Sequence, residues 1–296
     1  MSDCLQLTLP GYPPSRLIRD ANISCCPDPI ATEAGGTLES LELLKADTYD
    51  YVYRAKWTGR TQSKKDRETP LDVVIKLHLC RRILPQELEH EAEMYAHAHE
   101  TQGFAIPWCY GLFRGSANND PMKSMAVLVL EYCGKPLTDS KGDLIDFYDL
   151  DRDRQLKVVQ QTAALHYIGG LEHNDLYPRN VVWTDQDEAV IVDLAHAKKH
   201  ECKQPKIERF AMIPDIYEFG CDELHDTCLE CRMWFSAEME FVGEVIPART
   251  IHTLEDILRP VQISGEYITQ ERLEEAERIL EEIEFRRKYY PSSLKD

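Results

Sequence analysis

No apolar run in this 296-residue chain approaches the length of a transmembrane helix. The longest, Met125 to Leu130, has the length of a buried strand. Positive charge is scarce: 34 Lys and Arg stand against 52 Asp and Glu, a net charge of −18, which argues against a broad basic surface for nucleic acid. Met1 to Arg16 has no basic stretch followed by an apolar one, so no secretory signal is expected. The ten cysteines are then expected to be reduced thiols in the cytoplasm or nucleus, not a disulfide framework. No internal repeat is evident. What remains is a globular composition, 43% hydrophobic, on a chain long enough for a two-lobed domain with a sizeable core.

Residues 1–36 are rich in Pro, Cys and Asp and show little periodicity, so they are expected to form an N-terminal extension. From Thr37 the pattern turns to strands. One contains Leu38, Leu41, Leu43 and Leu44, and a second is Tyr51 to Trp57. A third, Asp72 to His78, is apolar but for Lys76 and its ends. A charged helix over Pro85 to Thr101 follows, then strands around Trp108 to Phe113 and Met125 to Tyr132. Five strands and one helix would make a first lobe over 37–133. Residues 134–296 would make a mainly helical second lobe, with helices at Arg152 to Ile168, Asp215 to Trp234 and Glu271 to Lys288.

Two stretches carry the chemistry. Leu171-Glu172-His173-Asn174-Asp175-Leu176-Tyr177-Pro178-Arg179-Asn180 is followed by the apolar Val181-Val182-Trp183. A second hydrophobic strand, Ala189 to Val192, then ends in Asp193. Upstream, Lys76 lies inside an apolar strand. A lysine there needs a charged partner, because desolvating it alone is costly. Glu91 on the following helix is the first choice and Glu87 the alternative.

The loop resembles the H-x-D-L-x-x-x-N pattern of the protein-kinase-like superfamily, Val73-Val74-Ile75-Lys76 its V-A-I-K, and Asp193 its D-F-G aspartate. The resemblance extends to atypical and fungal kinase-like proteins and to the aminoglycoside and choline kinase group. It implies an α+β, two-lobed kinase-like fold with a five-stranded sheet plus helix in one lobe and a mainly helical second lobe. It also implies ATP and Mg2+ as cofactors, and transfer of the γ-phosphate to a hydroxyl of a protein or small molecule. In that scheme Lys76 and Glu91 hold the phosphates, Asn180 and Asp193 hold magnesium, and Asp175 accepts the hydroxyl proton. Leu130 lines the back of an adenine pocket, the backbone of Glu131 and Cys133 contacts the base, and Asp215 is structural.

The sequence departs from the pattern in three places. Lys45, Asp47 and Asp50 stand where a phosphate-cradling loop has glycines, with Asp47 at the central one. Asn174 replaces an arginine. The short stretch from Asp193 to Asp215 has no A-P-E, which favours an atypical or small-molecule phosphotransferase. The alternative is a binding module of the same family with weak or no nucleotide turnover. Cys221, His225, Cys228 and Cys231 share one helix face, which cannot surround a metal ion, and are expected to pack near a core helix.

Overall fold

The computed structural model describes residues 4–9, 14–23, 36–46, 50–58, 70–80, 86–116, 124–203, 207–265 and 267–295. The chain divides into two compact units, Met1–Cys202 and Lys203–Asp296. Among the described residues no helix is long and apolar enough to cross a membrane.

The first unit is built on seven strands: β1 (Cys4–Leu7), β2 (Ser15–Arg19), β3 (Gly36–Ala46), β4 (Asp50–Thr58), β5 (Leu71–Cys80), β6 (Cys109–Ser116) and β7 (Ser124–Glu131). They close into a barrel in the order β1-β2-β6-β7-β5-β4-β3. Neighbours are antiparallel, except that β1 runs parallel to β3 with Leu5 opposite Gly36 and Leu7 opposite Leu38. Alternation along the strands fills the interior. Leu5, Leu7, Leu17, Trp57, Val73, Ile75 and Leu77 all point inward and are fully buried. β7 is buried on both faces: Met125, Val127 and Val129 face into the barrel, while Ala126, Leu128 and Leu130 join a second cluster outside it. A strand covered on two sides reads as an unbroken apolar run, which explains its sequence.

This architecture overturns the expected fold class. The chain does not have a two-lobed kinase-like fold with a five-stranded sheet and a helical second lobe. It has a closed, mixed seven-stranded barrel and, among the described residues, six α-helices. The five expected strands are present as β3 to β7. The error lies in residues 1–36: the alternation of Leu5 and Leu7, and of Ser15 and Leu17, is only four or five residues long, and it supplies the two strands that close the sheet.

Outside the barrel, α1 (Gln86–His97) packs against β6 and β7 with Leu88, Ala92, Met94 and Tyr95 buried. α2 (Arg152–Tyr167) begins at Asp151, whose carboxylate caps the Asp153 and Arg154 N–H groups. The short strands β8 (Leu171–Glu172), β9 (Val181–Trp183), β10 (Ala189–Ile191) and β11 (Lys198–Lys199) form two pairs, β9 with β10 and β8 with β11. Gly134, at φ +127°, follows β7. A Cβ there would lie 1.9 Å from the Trp183 carbonyl oxygen, so this crossing past β9 requires glycine.

The second unit holds α3 (Ile216–Phe219), α4 (Asp222–Glu230), β12 (Glu238–Phe241), β13 (Glu244–Pro247), α5 (Leu254–Ser264) and α6 (Gln270–Tyr289). Its own core gathers Phe241, Ile246, Ile251, Ile257, Val261, Ala276 and Ile283. The single helix expected from Asp215 to Trp234 is broken at Gly220, φ +74°, into α3 and α4. Asp215 caps α3, accepting from the Tyr217 and Glu218 N–H groups. Cys228 and Cys231 are buried, and burial pushes both thiols up, Cys228 to about 12. The His225 ring meets Phe219 and Trp234 edge-on or tilted, with its Nε2 3.1 Å from the Pro214 carbonyl.

Candidate active site

Lys76 occupies β5 between Val52 of β4 and Leu128 of β7. Val73, Ile75 and Leu77 point into the barrel, so Lys76 points out of it, on the side covered by α1. Its Nζ lies 2.7 Å from Glu91 Oε1 and 2.5 Å from Asp193 Oδ1. The Lys76 side chain is 17% exposed and that of Glu91 2%. Glu87, the alternative partner, is exposed. Glu91 also accepts from the Leu194 backbone N–H. On the same helix, His90 Nε2 lies 2.8 Å from the Ala197 carbonyl. α1 and the segment that follows Asp193 are thus joined by two polar contacts, one from Glu91 and one from His90.

Asp193 is set against the loop 173–180 through its neighbour Val192. The Val192 N–H donates to the Asn180 carbonyl at 2.9 Å, and the Val192 carbonyl lies 3.0 Å from His173 Nε2. His173 Nδ1 accepts from the Asp175 N–H at 3.2 Å, which assigns the proton to Nε2 and makes it the donor to Val192. Asp193 has a left-handed backbone, φ +70°, as does Asn174, φ +62°. Such conformations in residues other than glycine cost energy and tend to cluster where side chains are aimed for function. Within the loop, Asn180 Nδ2 donates to Asp175 Oδ2 at 2.9 Å and to the Asp175 carbonyl at 2.8 Å, while Arg179 Nη2 reaches Asp175 Oδ1 at 2.6 Å. Both oxygens of Asp175 are therefore oriented.

One ammonium between two carboxylates leaves the trio net negative. Burial depresses Lys76, but Glu91 and Asp193 outweigh it and hold the ammonium above its ordinary range. Burial pushes the Glu91 carboxyl up; Lys76 opposes this without cancelling it, and Asp193 adds to the rise. Burial also acts upward on Asp193, but there the attraction of Lys76 prevails and the carboxyl ends below its ordinary value. Asp193 is thus the more readily ionised of the two. Its carboxylate and the Asn180 side-chain carbonyl are hard oxygen donors of the kind that hold Mg2+.

The residues expected to hold a base make contacts of their own. Leu130 is buried in the cluster under α1. The Glu131 N–H is committed to the Trp108 carbonyl at 2.8 Å, and Glu131 Oε2 accepts from Trp108 N–H. Cys133 Sγ lies 3.9 Å from the Glu131 carbonyl, and burial with nearby Glu131 pushes its thiol up. Glu131 and Cys133 line a cavity of about 220 Å³ together with Ile106, Gly134 and Val190; Lys76, Glu91, Asp175, Asn180 and Asp193 are not among its lining residues. Asp47 lies outside the described residues. The sequence reading missed the parts of His173 and of Arg179 at Asp175. The four-residue step from Asp175 to Arg179 was the available signal for the second.

No family model matches the chain, and no curated protein matches it. With the barrel in place of the expected sheet, the assignment to the protein-kinase-like superfamily is withdrawn.

Proposed function

We propose that this chain is an ATP- and Mg2+-dependent phosphotransferase acting on a hydroxyl of a protein or small molecule. The observation that carries the reading is Lys76 held between Glu91 and Asp193, with Val192 tying Asp193 to the loop of Asp175 and Asn180. These are the few groups phosphoryl transfer asks of a protein: a cation for the phosphates, oxygen ligands for a metal, and a carboxylate for the attacking hydroxyl. Bound Mg2+ would neutralise charge on the phosphates, with Asp193 and Asn180 holding it. Lys76, steadied by Glu91, binds a polyphosphate and frees Asp193 for the metal. Asp175, fixed by Arg179 and Asn180, orients the acceptor and takes its proton as the hydroxyl oxygen bonds to phosphorus and ADP departs.

A second reading, a module that binds the nucleotide without transferring from it, is favoured by the Arg179 contact, which occupies one oxygen of Asp175. Measuring ATP binding and turnover on the same preparation, with and without Mg2+, separates the two. Binding with acceptor-dependent ADP release supports transfer. Binding alone supports the module, and no binding in either condition refutes both.

A further inference from the structure

We propose that His166, His200 and Cys202 form a zinc site in the first unit, separate from the Lys76 cluster. Their ligand atoms, a ring nitrogen from each histidine and the Cys202 sulfur, all lie within 4.8 Å of one another. The fold brings His166 together with residues 34 and 36 positions further along the chain. His166 sits in the last turn of α2 and is buried, 1% exposed. The chain leaves α2 through Gly169 and Gly170 and enters β8. β11 then pairs antiparallel with β8, Lys199 opposite Leu171, and the His200 N–H donates to the Gly170 carbonyl at 2.8 Å. That bond returns His200 to the end of α2, where its ring meets His166 edge-on, centroids 5.0 Å apart. Cys202 follows two residues later, a spacing that puts side chains on one side of an extended segment.

The donor set selects the ion. Two imidazoles and a thiolate suit zinc, whereas magnesium and calcium take oxygen ligands. Zinc–nitrogen bonds near 2.0 Å and zinc–sulfur bonds near 2.3 Å put tetrahedral donors roughly 3.3–3.6 Å apart. The donors need close in by only about an ångström, within the reach of side-chain rotation. Three protein donors fill three of four positions, and a further ligand takes the last. Binding converts the Cys202 thiol to a thiolate, with its proton released to solvent.

The test uses the full chain, expressed with zinc, dialysed against a weak chelator and analysed for metal. Cys202→Ser and His200→Asn alter the less buried donors, and far-ultraviolet circular dichroism verifies that both fold. Stoichiometric zinc is expected in the wild type, with affinity falling by more than about tenfold in each variant, the least that even outer-shell partners contribute. Replacing zinc by Co2+ should give a thiolate-to-cobalt charge-transfer band that weakens or disappears in Cys202→Ser. A wild-type chain that neither retains nor takes up zinc overturns the proposal, as does zinc held equally by wild type and both variants.

Discussion

An enclosed ammonium needs counter-charge, and Lys76 has two carboxylates within hydrogen-bond distance. Removing it would leave Glu91 and Asp193 facing each other with Glu91 fully buried. Breaking such a pair costs about 3–5 kcal/mol, and protonation of Glu91, whose carboxyl is already pushed up, would relieve part of that. Lys76→Met should therefore lower the unfolding free energy by about 3 kcal/mol in a denaturant titration at neutral pH, and by less as pH falls and Glu91 takes a proton. A cost that does not change with pH would mean Glu91 is not the group left unpaired.

At the scale of elements, β1 and β2 turn a sheet into a barrel. Leu17 is fully buried in that barrel, so Leu17→Ala should cost about 2–5 kcal/mol by chemical denaturation. A change under about 0.5 kcal/mol would put the segment back outside the core. Just past β2, Asp20 Oδ2 accepts from Arg114 Nε of β6 at 2.6 Å, and Arg114 also pairs with Glu89 of α1. Burial acts upward on the Asp20 carboxyl, but Arg114 and the Asn22 N–H outweigh it and the net shift is down. A depressed carboxyl stabilises the fold above its unfolded value of 3.8, and that stabilisation is lost as pH falls through the folded value. Asp20→Asn should thus cost about 1–2 kcal/mol at neutral pH, with the gap to wild type closing below pH 3.8. A gap that persists at acid pH would assign the effect to shape, not charge.

The same strands show what was legible in the sequence. β4, β5 and β7 announce themselves through long apolar or alternating runs, and α2 ends one residue short of the span its periodicity gives. β1 and β2, at four and five residues, are too short for periodicity to separate from loop, and what makes them strands is pairing with β3 and β6 far along the chain. The break at Gly220 was visible as a glycine, but its left-handed backbone was not. The Lys76–Glu91 pair follows from local logic, a buried charge seeking its opposite. The Arg179–Asp175 contact spans only four residues and its spacing was visible, whereas the convergence of His166 with His200 depends on tertiary placement, and local logic does not reach it.

For the whole molecule, the residues proposed to act on ATP all lie in the unit Met1–Cys202, while Lys203–Asp296 has its own core around Phe241 and Ile257. The functional account therefore rests on one cluster, Lys76, Glu91 and Asp193 beside Asp175 and Asn180, not on family membership. Its most direct test is a calorimetric titration of ATP into the full chain with and without Mg2+, alongside ADP release, for wild type, Asp193→Asn and Asp175→Asn. If Asp193 holds the metal and Asp175 the acceptor, as proposed, Mg2+ should strengthen wild-type binding. Asp193→Asn should weaken that Mg2+-dependent binding by about tenfold or more, equivalent to about 1.4 kcal/mol, and Asp175→Asn should bind nearly as wild type yet release no ADP. Wild-type affinity that is the same with and without Mg2+, or undetectable in both, would contradict the account.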